Sequence, residues 1–425
     1  MLSKYNIYIK QNSDIWIYNN FKKKIICVSQ EEYYRLINNT LEINNPKLYK
    51  KLVQYGIVYL GIDEVGTLLD YYKKNIEDLR LNIMIMSSTA CNFNCSYCYE
   101  EFIPKQIDYV FEKAFIEFLN KNTVKYKSVF IEWFGGEPLL AKERVISISK
   151  KAKKICIDKK KPFICSITTN GYYLDYATFY KLLEGNIIYF QVTIDGNKKW
   201  HDKYRPLKNG RGTYDVVFNN LLSIKKNVEK NKVFRLTIRN NVSIENLEAC
   251  MDFKQIFQEN FGDDDRFQLF QFPIKDWGGN KIKEIKQELF DTEYDLLIDK
   301  LVNYRMDIFE GIVSSCCLAT KKYGFVIDPE YNVYKCNHYI QNRDIGDKYN
   351  KIGWLESGGN LVIDDDKNNE WISMSIEDQC RICFGLPNCL TTCPLHKMHP
   401  ENNCKQRIKT ELENKIKNYI LLKKR

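Results

Sequence analysis

From Leu81 to about residue 273 the sequence alternates six times between a short β-type run and a longer amphipathic one. The runs LNIMIMS, SVFIEWF, FICSITT, IIYFQVTI, VFRLTIRNNV and RFQLFQF are rich in β-branched and aromatic residues. Helical patterns such as YVFEKAFIEFLNKN and ATFYKLLEG stand between them. Such alternation implies βα units and a parallel sheet, because parallel neighbours need a crossover long enough to hold a helix. Six units are too few to close an eight-fold barrel. The expectation is an α/β fold built on an open, partial (β/α)6 barrel, with its chemistry at the C-terminal strand ends.

A chain of 425 residues exceeds one core of usual size. Residues 1–80 read as a separate β-then-α module. YNIYIK, DIWIYN and KIICV read as strands, followed by helical patterns from near Gln30 and Pro46, then YGIVYL and a helical DEVGTLLDYYKKNIEDL. Beyond Trp277 and Gly278 the regularity gives way to a helical KEIKQELFDTEYDLLIDKLVNYRMDIF. The expected division is 1–80, 81–310 and 311–425. Hydrophobic residues at 44% and aromatics at 14% exclude a mostly disordered chain. No run has the ~18 uninterrupted apolar residues of a membrane helix, and the first segment alternates where a signal peptide would be continuously apolar. A cytoplasmic address is expected. The net charge of +10 comes from scattered lysines, with local runs in KKAKKICIDKKKPF and LLKKR. Without a nucleic-acid reading motif, these read as solvated helix faces.

In a reducing compartment the fifteen cysteines point to metal chemistry more than to disulfides. Cys91, Cys95 and Cys98 form CxxxCxxC on the loop after the first barrel strand. Thiolates at this spacing can converge on one iron-sulfur cluster. Three ligands leave one iron open, and an open position is how a metal centre engages substrate directly. The alternative is a zinc site completed by a distant His or Cys, although none of the four histidines lies near in sequence.

CxxxC followed by Tyr97 and Cys98 resembles the signature of the radical S-adenosylmethionine (SAM) superfamily. In that family the open iron chelates the amino and carboxylate groups of SAM, and one electron cleaves it to methionine and a 5′-deoxyadenosyl radical. WFGGEPLL carries Gly135, Gly136, Glu137 and Pro138, similar to the family's GGEP motif. There glycines allow close backbone approach, and the resemblance makes Glu137 a candidate acceptor for the SAM ammonium. ITTNGYYL and VTIDGNKKWHDKYRP resemble segments of the family's peptide-modifying branch. The resemblance implies that the Thr193 hydroxyl contacts SAM, that Arg205 grips its carboxylate, and that Asn170 shapes the nucleotide site. Asp195 reads as a strand-end turn residue. RLTIRNNVSIEN resembles the segment beside the adenine, with Arg239 inward if the strand register turns it so.

CRICFGLPNCLTTC, with Cys404 downstream and Cys316, Cys317 and Cys336 upstream, resembles the seven-cysteine SPASM extension, which holds two auxiliary 4Fe-4S clusters. By that resemblance Cys380, Cys383, Cys389 and Cys404 hold the distal cluster, and Cys317, Cys336 and Cys393 the proximal one. Cys316 is either a fourth ligand or an adjacent thiol. A pair of zinc sites is the alternative, since CxxC also suits zinc. Three positions depart from the family: Tyr331 replaces a glycine, and Thr391 and Thr392 replace Gly-Gly. The isolated Cys27, Cys156, Cys165 and Cys250 read as small core residues.

Enzymes of this layout act on peptides and proteins. The resemblance implies SAM and three 4Fe-4S clusters, one binding SAM and two auxiliary, with flavodoxin or ferredoxin as one-electron donor. The expected function is maturation of a ribosomally made peptide (RiPP), with thioether crosslinking of Cys as the expected bond. The N-terminal module, expected to be winged-helix-like, could take a leader peptide as an added strand. The alternatives are an anaerobic sulfatase-maturating enzyme, converting Cys or Ser to formylglycine, and a non-catalytic electron-transfer or zinc protein.

Overall fold

The computed structural model describes residues 1–61, 63–100, 103–243, 245–274, 317–337, 340, 349–373, 378–389, 412–413, 416–417 and 419–420. The helical expectation for 283–309, and Cys316, Cys393 and Cys404, lie outside the described residues. The chain divides into two compact units. One comprises 1–78 with 305–321 and 372–425; the other comprises 79–304 with 322–371.

In the first unit β1 (Asn6–Gln11), β2 (Asp14–Asn19) and β3 (Lys24–Ser29) form an antiparallel meander. Alternation along β2 sends Ile15 and Ile17 to one face, against Leu36 of α1 (Gln30–Ile37), Leu41 of α2 (Leu41–Asn44) and Leu52 of α3 (Pro46–Gln54). Tyr18 and Ile7 turn to the other face and pack on Leu412, Ile416 and Ile420. Ser29 and Glu32 start α1 with a reciprocal capping box. Asn45 and Pro46 start α3, a side-chain acceptor followed by the residue that lacks the N–H the cap would need to satisfy. The YGIVYL segment forms only an isolated bridge, Val58 to Leu2. Asp63 caps α4 (Glu64–Ile76).

In the second unit the six expected strands are β4 (Arg80–Ser88), β5 (Ser128–Gly135), β6 (Phe163–Thr169), β7 (Ile187–Thr193), β8 (Arg235–Val242) and β9 (Phe267–Pro273). They lie in parallel and in chain order. The crossovers carry α5 (Tyr109–Asn122), α6 (Lys142–Asp158), α7 (Tyr176–Glu184), α8 (Lys198–Tyr204), α9 (Tyr214–Asn227) and α10 (Leu247–Phe261). Strand alternation assigns the faces. On β5, Val129, Ile131 and Trp133 are buried, and the Trp133 indole N–H donates to Ser149 of α6 at 2.9 Å. Glu132 and Phe134 point the other way, into the barrel.

One feature of the sheet was not foreseen. β10 (Gly324–Ile327) adds in parallel to the outer edge of β4, and β11 (Asn332–Tyr334), β12 (Lys351–Leu355) and β13 (Leu361–Ile363) continue antiparallel. At the β10–β11 turn Tyr331 adopts φ +68°, the left-handed conformation for which glycine is suited. Asp328 holds this turn by accepting from the backbone of Glu330 and Asn332, both at 2.9 Å.

Cys156, Cys165 and Cys250 are buried, as expected of small core residues. Cys27 is exposed, a correction to its reading as a core residue: along β3 it falls on an outward position while Val28 takes the inward one.

Candidate active site

A cavity of about 650 Å³ opens at the C-terminal ends of the barrel strands. Cys91, Cys95, Tyr97, Cys98, Gly135, Gly136, Asn170, Thr193, Arg205 and Arg239 all line it. Residues far apart in sequence, each singled out from its motif, therefore share one space.

The cysteine loop is gripped from two sides. From the β5 side, the Gly136 and Glu137 N–H groups donate to the carbonyls of Ser88 and Ala90, each at 2.8 Å. A Cβ on Gly135 would stand 2.2 Å from the Ser88 oxygen, and one on Gly136 2.5 Å from that of Ala90; Gly135 also has φ +125°. The glycines are thus required for the end of β5 to close on the loop's own backbone. From the α8 side, Asn94 donates to the Pro206 carbonyl at 2.8 Å and Ser96 to that of Tyr204 at 3.0 Å.

Glu137 and Pro138 do not line the cavity. The Glu137 carboxylate is fully buried and accepts from Leu139 N (2.9 Å), the Thr169 hydroxyl (2.6 Å) and Asn170 N (2.7 Å). Burial raises its pKa while these donors oppose the rise. The carboxylate thereby ties the GGEP turn to the end of β6. Asn170 carries the tie onward, its amide donating to Asn92 Oδ1 at 2.8 Å and standing 3.8 Å from Cys91 Sγ.

Tyr97 is the hub of the opposite wall. Its hydroxyl donates to Asp195 Oδ2 and accepts from Arg205 Nη1 at 2.6 Å and Asn241 Nδ2 at 2.9 Å. Asp195 also accepts from Asn241 N at 2.8 Å and faces Arg205 at 3.8 Å. Arg205 stacks over Phe93, 5.6 Å from guanidinium carbon to ring centroid, and its Nε is buried without an acceptor. A second layer holds these in place. His201 Nδ1 accepts from Asp195 N at 3.1 Å and Nε2 meets the Thr213 hydroxyl at 3.0 Å, which in turn donates to the Arg205 carbonyl at 2.7 Å. Arg239 does turn inward, its Nε donating to Asn241 at 2.8 Å. Thr193 ends β7 level with Arg239, and its hydroxyl makes no hydrogen bond among the described residues.

The sequence motifs did not reveal Glu132, Gln191, Asn241 and Phe272, which also line the cavity. Period-two alternation counted back from the strand ends was the signal that could have found them.

The donor set fits a thiolate-bound group that meets an anionic ligand. Three thiols reach one cavity, and an unpartnered guanidinium N–H waits in the same wall. Burial pushes the Cys91 and Cys98 thiols up to about 12, so thiolates there need a positive partner. Among the described residues no three His, Cys, Asp or Glu side chains sit as ligands of one small ion would. Of the remaining cysteines, Cys336 is buried beside Asn350, and its thiol contributes to the electrostatics of Tyr99, next to Cys98. Cys380 and Cys383 form a turn, Cys383 N donating to Cys380 O at 3.1 Å, and Cys317 is exposed. Cys389 ends the helical turn Leu386–Cys389.

Comparison with known proteins agrees with this geometry. Residues 85–253 match the model of the Radical SAM superfamily. A cysteine-type anaerobic sulfatase-maturating enzyme of Clostridium novyi is 25% identical over 73% of this chain and 87% of its own length. A serine-type counterpart of Bacteroides thetaiotaomicron is 25% identical over 72% and 81%. A solved structure described as native anSMEcpe with bound AdoMet superposes with a TM-score of 0.52 at 21% identity, covering 74% of this chain and 89% of that one; it shows the shared fold. No described helix is long and apolar enough to cross a membrane. Residues 85–253 are a radical SAM domain, and the chain that carries them is related to the anaerobic sulfatase-maturating enzymes.

Proposed function

We propose that the protein modifies a residue within a peptide or protein, with Cys91, Cys95 and Cys98 holding the 4Fe-4S cluster and Arg205, Thr193 and the Gly135–Gly136 backbone receiving SAM. The observation that carries this reading is the cavity in which three thiols face a buried, partly unpaired guanidinium. SAM bound at such a cluster supplies a 5′-deoxyadenosyl radical that removes a hydrogen atom from the substrate. The chain's own residues bind and orient. Arg205 offers its free N–H to the SAM carboxylate, Tyr97 and Asp195 fix the guanidinium plane, and Asn170 steadies the Cys91 side of the loop. Phe93 and Phe272 supply apolar wall that excludes water. Glu137 serves by positioning the GGEP turn.

The auxiliary clusters belong to the same proposal, with Cys380, Cys383, Cys389 and Cys404 at one and Cys317, Cys336 and Cys393 at the other. The nearness of Cys336 to Tyr99 supports an electron path toward Cys98. A cytoplasmic flavodoxin or ferredoxin would supply the first electron.

Two substrate readings stand. Formylglycine formation is supported by what the relatives' names say of those proteins. Thioether crosslinking of a leader-bearing peptide is supported by the N-terminal meander, whose β3 pairs only with β2 among the described residues and offers an edge for strand addition. Mass spectrometry after anaerobic turnover separates them. A thioether keeps the sulfur and loses two hydrogens, whereas formylglycine made from Cys loses the sulfur. The test of the shared reading is 5′-deoxyadenosine release from SAM with dithionite. The anaerobically reconstituted enzyme is expected to release it and Cys95→Ala to release none; release by Cys95→Ala overturns the assignment.

A further inference from the structure

Glu132 has no part in the site as assembled above. It stands three residues before Gly135 on β5, so about 10 Å further down the strand at ~3.3 Å per residue and well away from the cysteine loop. Its neighbours in register are Met84 on β4 and Ser166 on β6. Its side chain lines the cavity, yet among the described residues it makes no hydrogen bond and no ion pair. Glu137 is satisfied by three donors, Glu112 by Arg144, Ser147 and Lys151, and Asp195 by Tyr97 and Asn241; Glu100, two residues after Cys98, is the other acid that lines the cavity with no side-chain bond among the described residues, and it belongs to the cysteine loop. Burial alone lifts the Glu132 pKa to about 7.

The cavity is also divided by charge. Arg205 and Lys208, at and beyond the end of α8, and Arg239 on β8 are its cations, while Glu132 on β5 and Glu100 on the cysteine loop are its acids. Arg239 is held by Asn241 and lies 4.7 Å over the Phe272 ring, without a bond to Glu132. An anionic group entering the cavity is drawn to the arginines. A neutral group entering beside Glu132 would leave a carboxyl desolvated and unpaired, which is unfavourable; a cationic one would satisfy it.

We infer that Glu132 is the receptor for a cationic group, an ammonium or a guanidinium, on the substrate residue held in this cavity. The inference rests on the proposed use of the cavity for SAM-dependent chemistry. It makes Glu132 a specificity-determining residue and points to peptides with lysine or arginine at or beside the modified position.

The test uses reconstituted holoenzyme with SAM, dithionite and one of three carbon-deuterated probes: n-butylamine, n-butylguanidine or 1-butanol. Deuterium recovered in 5′-deoxyadenosine reports how often each probe lies within reach of the radical. One of the two cations is expected to give roughly tenfold more transfer than the alcohol at equal concentration, the factor of a single charge-assisted hydrogen bond. Which of them does so distinguishes a lysine from an arginine substrate. Glu132→Gln is expected to bring that probe down to the alcohol. Equal transfer from all three probes in the wild type overturns the inference without any variant. So does a cation preference that survives in Glu132→Gln, or weakened SAM binding in that variant, which would assign the carboxyl to the cofactor. A wild type that releases no 5′-deoxyadenosine overturns the underlying reading instead, and with it this one.

Discussion

His201 accepts the backbone N–H of Asp195 at its Nδ1, 3.1 Å away, so its ring proton sits on Nε2 and is offered to Thr213. The fully buried imidazole thereby fixes both the strand-end Asp195 and, through the Thr213 hydroxyl, the carbonyl of Arg205.

Removing this ring strands buried polar groups on both sides. His201→Ala is expected to lower stability by about 2–6 kcal/mol, at ~1–3 kcal/mol for each of two orphaned partners. Chemical denaturation under anaerobic conditions measures it. Burial, with Arg205 adding to it, holds the His201 pKa well below its usual 6.5. Below pH ~6.5 the unfolded chain takes up a proton that the native one refuses. Wild-type stability should therefore fall as pH drops through 6 toward 5, and the slope should be shallower in His201→Ala.

Arg205→Lys keeps the charge but loses the planar fork that meets Tyr97 with one nitrogen and leaves another for an anion. Equilibrium dialysis with SAM should show affinity weakened roughly tenfold or more, as expected for the loss of one charge-assisted bond. Unchanged SAM affinity would remove Arg205 from the binding site.

Gly136→Ala places a methyl 2.5 Å from the Ala90 carbonyl oxygen, inside any tolerable contact. The end of β5 and the cysteine loop must then separate. Iron bound per chain after reconstitution should drop by about four atoms, one cluster's complement. Cys156→Ala, in the core of α6, should leave iron content unchanged.

Because burial raises the pKa of Glu132 to about 7, the native state holds its proton more tightly than the unfolded one. Stability contributed by the protonated form is lost as pH rises from ~4.5 toward 7. Glu132→Gln should thus melt higher than wild type at pH 8, and the difference should shrink toward pH 4.5. A difference independent of pH would mean the carboxyl does not titrate as described.

The barrel was legible because its physics is local. Six apolar runs with helical spacing between them fix both strand order and faces, and YVFEKAFIEFLNKN became α5 residue for residue. The cysteines, Gly135, Gly136, Asn170, Thr193 and Arg205 were legible because motif residues crowd at strand ends, where the loops converge. What was not legible depends on contacts remote in sequence. Nothing near Glu137 announces that Thr169 and Asn170 will occupy its carboxylate, so a ligand contact was expected where the chain makes an internal brace. Nor does GFVI at residues 324–327 announce that its partner is β4. Glu132 escaped notice because a single acid in an apolar strand acquires meaning only once its face is known.

The pairing of β10 with β4 bears on how the chain is made. The first barrel strand to leave the ribosome carries the cysteine loop, yet its outer edge is completed by Gly324–Ile327, which is made only after all the other barrel strands. Until Gly324–Ile327 emerges, β4 has one edge of unpaired N–H and C=O groups while β5 already covers the other. A nascent chain that folds its barrel strands as they emerge would hold the three thiols together while that edge of β4 is still open. Delivery of iron and sulfide before that edge closes would meet the loop at its most accessible.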